Sequence, residues 1–406
     1  MKLIFTILLS VILINSDATS RIVSPGQLKK SIQQSAAGDT LFLQPGVYKE
    51  GTIILTKAIT LQGIGRVILD GENKYEILMI SGYHITIRNL LLRNAGYSAL
   101  NDFAAIKIVD SRSLLIDNNQ IDQSYFAIHV SNSSFVTIRN NLITGTPRSE
   151  QLTGNGIHLW KCRDALIDHN RITGHRDGIY FEFVTASTIR DNRSEKNIRY
   201  GLHFMFSNDD VYQHNIFSNN GAGVAVMYSK KVIMKQNQFE QNWGPSAYGI
   251  LLKDITDSEI RNNIFYRNTV GIHLEGSSRL HIEENRFKSN GWAVKIQASC
   301  EDNEFTKNNF TGNSFDVGTN GTLVLNNFDN NYWDKYDGYD LDRDGTGDIP
   351  YHPVSLYSMI VEQQPHTLML FRSFATQLLD KAEKAIPGLT PVNLSDQKPV
   401  MKPFSL

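Results

Sequence analysis

Apolar residues in this chain fall on a regular beat. A small residue followed by apolar–x–apolar recurs as AIKI, AIHV, GIHL, GIYF, GLHF, GVAV, GILL, GIHL and AVKI, led by Ile106, Ile128, Ile157, Ile179, Leu202, Val224, Ile250, Ile272 and Val294. Asparagines keep the same interval at Asn119, Asn141, Asn170, Asn192, Asn215, Asn237, Asn263, Asn285 and Asn309, in steps of 22, 29, 22, 23, 22, 26, 22 and 24. Alternation at period two marks strands. Asn and Gly between strands tolerate the left-handed backbone of a tight bend. A period near 22 residues without a helical pattern predicts an all-β chain, a right-handed parallel β-helix over residues 19–333. Leucine-rich repeats share the length, but their leucine consensus and helical turn are missing. Coils of such a solenoid stack about 4.8 Å apart, so asparagines at one bend are expected to bridge coil to coil.

The segment AAGDTLFLQPGVYKEGTIILTKAITLQG (36–63) resembles the first turns of secreted β-helix proteins. Residues 21–35 are expected to form a short amphipathic cap, because an open solenoid end is a sticky edge. The leader MKLIFTILLSVILINSDA has Lys2, an apolar run from Leu3 to Ile14 and small residues at Ser16 and Ala18. That pattern predicts a signal peptide over 1–18, and an exported protein. No cysteine follows the cut, which argues against a lipoprotein anchor. Net charge is −1 and the pI about 6.8, so nothing suggests affinity for nucleic acid or anionic lipid. The two cysteines, Cys162 and Cys300, follow strands six coil steps apart, about 29 Å at 4.8 Å each. A disulfide needs Cα atoms within about 7 Å, so both are expected as free thiols.

Register decides what the strands show to the outside. In each G-I-x-L strand the two apolar residues enter the coil, so the residue between them and the one after point out. The first outward column reads Lys107, His129, His158, Tyr180, His203, Ala225, Leu251, His273, Lys295. The second reads Val109, Ser131, Trp160, Glu182, Met205, Met227, Lys253, Glu275, Gln297. Thioether and imidazole together suit Cu(I), which makes His203, Met205, Met227 and His158 candidate copper ligands. Trp160, Tyr180 and Glu182 complete the patch, Glu182 being a further possible ligand. The competing reading is that the Met and aromatic side chains fill space beneath loops or bind another protein. His129 and His273 read as ordinary surface residues. Insertions at 144–154 and 241–249 are expected to wall a shallow cleft over this patch.

Polysaccharide lysis, epimerisation or hydrolysis is the alternative, since β-helices often host it. Glycoside hydrolysis wants two carboxylates about 5–9 Å apart, and Glu182 has no outward carboxylate on an adjacent coil. A lyase wants a base and a cation; Tyr180 and His158 could serve, but Lys107, Lys253 and Lys295 stand coils away. In GHRDGIY (174–180), His175, Arg176 and Asp177 read as a local ion pair at a bend. A mannuronan epimerase's DPHD tetrapeptide is absent. A structural or adhesive surface protein is a third class, and it has no surface anchor here.

Beyond the repeat, residues 334–352 form an acidic loop of six aspartates against Lys335 and Arg343. Asp340, Asp342 and Asp344 before Gly345, with Asp348 at the ninth place, match the first half of a calcium loop, although Tyr351 stands where its last ligand would. Calcium and a solvated turn are both open. Residues 353–386 are expected to be helical: Leu368, Phe371, Ala375, Leu378, Ala382 and Ile386 predict one amphipathic helix between Pro365 and Pro387, about 30 Å long. Its charges forbid a membrane span. It would cap the coil or dock on a membrane partner through Leu368, Phe371, Leu378 and Leu379. The tail, 387–406, reads as extended and available for contacts.

GHRDGIYFEF, YGLHFMFS, GAGVAVMYSKK, NWGPSAYGILLK, GWAVKI followed by CEDN, NYWDKYDGYDLDRDGTGDIPY and LTPVNLSDQKPVMKP occur in one order. By that ordered set the chain resembles the NosD family, exported accessory proteins of nitrous oxide reductase maturation. The resemblance covers nearly the whole chain after the leader. It implies a non-enzymatic periplasmic β-helix that works with an ABC transporter membrane subunit, a copper chaperone lipoprotein and nitrous oxide reductase. Copper would be transient cargo for a copper–sulfide centre, and membrane association would come through the partner. It also implies that the C-terminal helix docks on the transporter.

Overall fold

The computed structural model describes residues 18–97, 102–321, 325–385 and 394–406. The expected signal peptide lies outside the described residues except for Ala18, as do Ile386 and the tail's first residues to 393.

The chain winds into a parallel β-solenoid with three faces. Its sheets have fourteen, twelve and thirteen strands, and neighbouring strands in each belong to successive coils. Every strand pairing is parallel; for example Tyr180 pairs with His203, and His203 with Ala225. Apolar residues from all three sheets fill the coil, and the core is continuous from Val23 to Trp333. Identical positions stack: Phe239, Phe265, Phe287 and Phe310 form one ladder with centroids 4.8 Å apart, closed by Trp333. Stacked rings gain packing beyond the area they bury.

The asparagine column forms as the repeat requires. The Oδ1 of Asn215 accepts the backbone N–H and the side-chain N–H of Asn192, both at 3.0 Å, and its Nδ2 donates to Asn237 Oδ1 and to the Ile189 carbonyl. The ladder runs from Asn119 to Asn331. The rung before Asn331 is Asn308, not the expected Asn309, which instead exchanges hydrogen bonds with the Phe404 backbone. A second ladder, Asn197 to Asn313, lies one bend further on.

The glycine of each G-I-x-L strand has a steric cause. A Cβ on Gly201 would sit 2.8 Å from the Gly223 carbonyl oxygen, where the next coil's backbone crosses.

Both ends are closed. At the start, the strand Ser20–Val23 opens the first coil and helix α1 (Leu28–Gln34) covers it, burying Leu28 and Ile32. The Glu50 carboxylate accepts the Leu28 and Lys29 N–H groups at the helix N-terminus, an anionic cap. At the far end the expected single helix is broken. Helix α2 (Leu356–Gln363) lies before Pro365; a 3₁₀ turn (Pro365–Leu370) and helix α3 (Phe374–Ala385) replace the expected helix, and Arg372 at φ +62° makes the break. No helix among the described residues is long and apolar enough to cross a membrane.

The end of the tail is not free. Asp396 is fully buried and accepts the Asn330 and Asn331 N–H groups, the Asn331 amide and the Trp333 indole N–H. It is the terminal rung of the asparagine ladder. Both cysteines are buried free thiols, as their separation requires.

Candidate functional site

The outward columns lie in the predicted register on the twelve-stranded sheet. His129, His158, Tyr180, His203 and Ala225 pair in sequence, beside Ser131, Trp160, Glu182, Met205 and Met227. Ring centroids step 4.8, 4.6 and 4.9 Å from His129 through His158 and Tyr180 to His203.

Outside the coil does not mean exposed. His203 is 4% accessible, with its ring against Tyr180 and Tyr200. Its Nδ1 lies 3.6 Å from Asp177, and its Nε2 is buried with no hydrogen-bond partner. His129, expected as a surface residue, is 8% accessible and packs on Phe126 and His158. The error has a plain cause: Phe126, which opens the strand, lies over His129 and His158, with Tyr125 packed against it. His273 is half-buried against Tyr248. Burial holds the His129 and His158 imidazoles down, at about 4 and about 3, so both are neutral near pH 7 and each keeps one ring nitrogen free of a proton. Burial and the Glu182 carboxylate push the Tyr180 phenol up to about 12.

Met205 and Met227 stand opposite one another on adjacent strands, both half-buried. The Tyr180 hydroxyl lies 3.6 Å from Met205 Sδ and 3.4 Å from Glu182 Oε2. Thioether, phenol and carboxylate therefore meet at one point on the face.

Sequence reasoning undervalued Asp177. It is fully buried, with Arg176 at 3.7 Å, Arg199 at 3.5 Å and His203 at 3.6 Å. The local ion pair to Arg176 is present, and Arg199 and His203 from the next coil join it. The insertion at 144–154 reaches the same cluster: Glu150 pairs with Arg199 at 3.2 Å, and Asn155 contacts both Arg176 and His158. This loop spans the coils of His158, Tyr180 and His203 as a wall. The loop at 241–249 bonds instead to Thr269 on the following coil.

One further feature went unread in the sequence. Phe183, Phe206 and Tyr228 each follow a residue of the second column and take φ of 54°, 49° and 54°. They are exposed and stacked, at 5.2 and 5.0 Å. Positive φ is rare for bulky residues, and three in a row were hidden because Asn, Asp or Gly is the usual occupant.

At the acidic turn, ligand atoms of Asp340, Asp342 and Asp344 lie within 4.8 Å of one another, close enough to share a cation. Their carboxylates accept N–H groups of Asp344, Gly345 and Thr346, while Asp348 accepts the Leu341 N–H. Of the expected docking residues, Leu368 and Leu378 are half exposed, whereas Phe371 and Leu379 pack on a cluster of Trp292, Phe315, Tyr357 and Val361. Met369 and Phe374 are the most exposed apolar side chains there.

Solved structures of low identity share the fold. The surface adhesin PfbA of Streptococcus pneumoniae superposes with a TM-score of 0.54 at 13% identity, over 74% of this chain and 91% of that one. An α-1,3-glucanase catalytic unit from Streptomyces thermodiastaticus gives 0.55 at 13%, over 78% and 65%. Two curated relatives, each described as a probable ABC transporter binding protein NosD, align over most of the chain. The Stutzerimonas stutzeri protein is 26% identical over 90% of this chain and 87% of its own length, and the Pseudomonas aeruginosa protein 28% identical over 87% and 86%. A family model described as periplasmic copper-binding protein (NosD) matches residues 144–338, from the insertion beside His158 to the start of the acidic turn. The coil, its outward column and its alignment with these relatives carry one conclusion: the chain is similar to NosD proteins over most of its length.

Proposed function

We propose that this protein is a non-enzymatic periplasmic accessory factor for assembly of the copper–sulfide centre of nitrous oxide reductase. In this reading it acts with the membrane subunit of an ABC transporter and a copper chaperone lipoprotein, and copper is transient cargo. The observation that carries it is the pair Met205 and Met227, in register on adjacent coils beside Glu182 and the column of buried imidazoles. Soft thioethers with neutral imidazole are suited to Cu(I). The printed descriptions of the family and its relatives, copper-binding and ABC transporter binding, point the same way. The polysaccharide reading has less support. Tyr180 is held far from ionisation near neutral pH, and likeness to glycan-active enzymes at 13% identity extends to the fold alone.

His203 would enter through Nε2, with Asp177 facing Nδ1; a carboxylate behind a ligating histidine fixes its orientation. Docking on the transporter would use the exposed side of the C-terminal helices, Leu368 and Leu378 with Met369 and Phe374.

An anoxic Cu(I) titration against a chromophoric chelator tests the copper assignment. One tight equivalent per chain is expected in the wild type, and its loss in Met205→Ala and Met227→Ala. Absence of binding above background would overturn it and leave the column as a docking surface for protein.

A further inference from the structure

The bend that carries the first asparagine ladder has an outer edge, and three of its successive rungs differ from the rest. On the other described coils this edge position is filled by Asn, Gln, Glu or Lys in the left-handed conformation, such as Asn118 and Asn140. On three consecutive coils it is His169, Asp191 and His214, with φ of 53°, 55° and 55°. Directly behind them Asn170, Asn192 and Asn215 are locked together at 2.9–3.0 Å. The three side chains are thus set on a rigid comb with a pitch of about 4.8 Å.

They also face one another. His214 Nδ1 lies 3.8 Å from Asp191 Oδ1, and ligand atoms of His169, Asp191 and Asp168 fall within 4.8 Å of each other. Bonds of about 2.1 Å in a tetrahedral site place donor atoms about 3.4 Å apart, so closing the set on one ion requires His169 and His214, two coils apart, to turn toward the Asp191 carboxylate between them. Asp168 supplies what a ligating histidine ordinarily has behind it. Its Oδ1 lies 2.6 Å from His169 Nδ1, leaving Nε2 to face outward, and Arg190 holds the same carboxylate at 3.1 and 3.3 Å. A carboxylate on one ring nitrogen fixes the tautomer and strengthens the other as a ligand. The ladder itself explains the asparagines but not two histidines and an aspartate in successive outer positions.

We infer that His169, Asp191 and His214, with Asp168 orienting His169, form a site for a borderline divalent transition metal such as Zn(II) or Cu(II). Two imidazoles and one carboxylate suit such ions, in contrast to the thioether pair proposed for Cu(I). The site stands on a different face of the solenoid, at the end of a strand of the fourteen-stranded sheet. It does not depend on the copper assignment.

The test is a Zn(II) titration of the untagged full chain in competition with a chromophoric chelator. One equivalent is expected, weakened at least tenfold by His169→Ala and by His214→Ala, and about tenfold by Asp168→Asn. Met205→Ala should bind Zn(II) as the wild type does. Both histidines are half exposed, so these variants should fold, and circular dichroism checks it. No stoichiometric zinc, binding that survives both histidine variants, or binding lost with Met205→Ala would each overturn the inference.

Discussion

Two columns run up this solenoid on the same coils, and they are finished to different standards. In the asparagine ladder every amide is used: Asn215 accepts two hydrogen bonds from the coil before and donates to the coil after. In the outward histidine column, His129 Nδ1, His203 Nε2 and His273 Nδ1 are buried without partners. Buried polar groups in native proteins are nearly always satisfied, and each exception asks for a reason. The ladder is a scaffold whose chemistry is complete within the chain. The column leaves three buried ring nitrogens open, as the proposed site would require.

The contrast can be broken most sharply in the ladder. Asn215→Ala removes the acceptor for both Asn192 donors and the donor to Ile189 O. With about 1–3 kcal/mol for each buried group left unsatisfied, a loss of about 4 kcal/mol in urea unfolding is expected. The same change at the exposed Asn262 on this bend, which loses the tolerance of Asn for φ 55°, should cost about 1 kcal/mol.

A middle-sized effect separates the columns by pH. Burial lowers His129, His158 and His175 to about 4, 3 and 4. The unfolded chain therefore takes up protons first as the pH falls below about 6.5. Their contribution is complete above that value and is lost between it and about 3. Asp210 acts in the opposite sense, since burial pushes it up to about 8. It is held neutral, and stability falls as the pH rises from its ordinary carboxylate range towards 8. A bell-shaped stability profile is expected, its acid limb flattened by His129→Gln and its alkaline limb by Asp210→Asn, read from urea midpoints between pH 4 and 9.

The smallest effect is the most diagnostic. Phe206→Asn relieves a bulky residue at φ 49° but breaks the stack with Phe183 and Tyr228. Both terms are near 1 kcal/mol, so stability should stay within about 0.5 kcal/mol of wild type. A loss well beyond 1 kcal/mol would make the aromatic ladder part of the scaffold. A neutral result would place it with the histidine column, as surface kept for something other than stability.

Much of this was legible in one sequence because a solenoid writes its fold once per coil. The 22-residue beat located the coils, and the period-two alternation placed His203 and Met205 on the outer face of the right strand. The alternation could not say what lies over that face. His129 and His203 are covered by the aromatic rings that open their own strands, Phe126 and Tyr200, and no repeat statistic carries that. The C-terminal periodicity from Leu368 to Leu378 read as one helix, whereas Arg372 turns the chain so that Phe371 can pack on Phe315.

The sequence by itself determined the elements that repeat: coils, ladders, the inward and outward faces, and two cysteines too far apart to bond. These follow from local geometry, since spacing along the chain becomes stacking in space. Tertiary structure alone decided what does not repeat. It brought Glu150 to Arg199, and Arg199 and His203 together onto Asp177, and it turned the tail back to set Asp396 as the last rung of the asparagine ladder. Such contacts depend on which surfaces a loop or terminus can satisfy once the coil exists, and no periodic pattern encodes that.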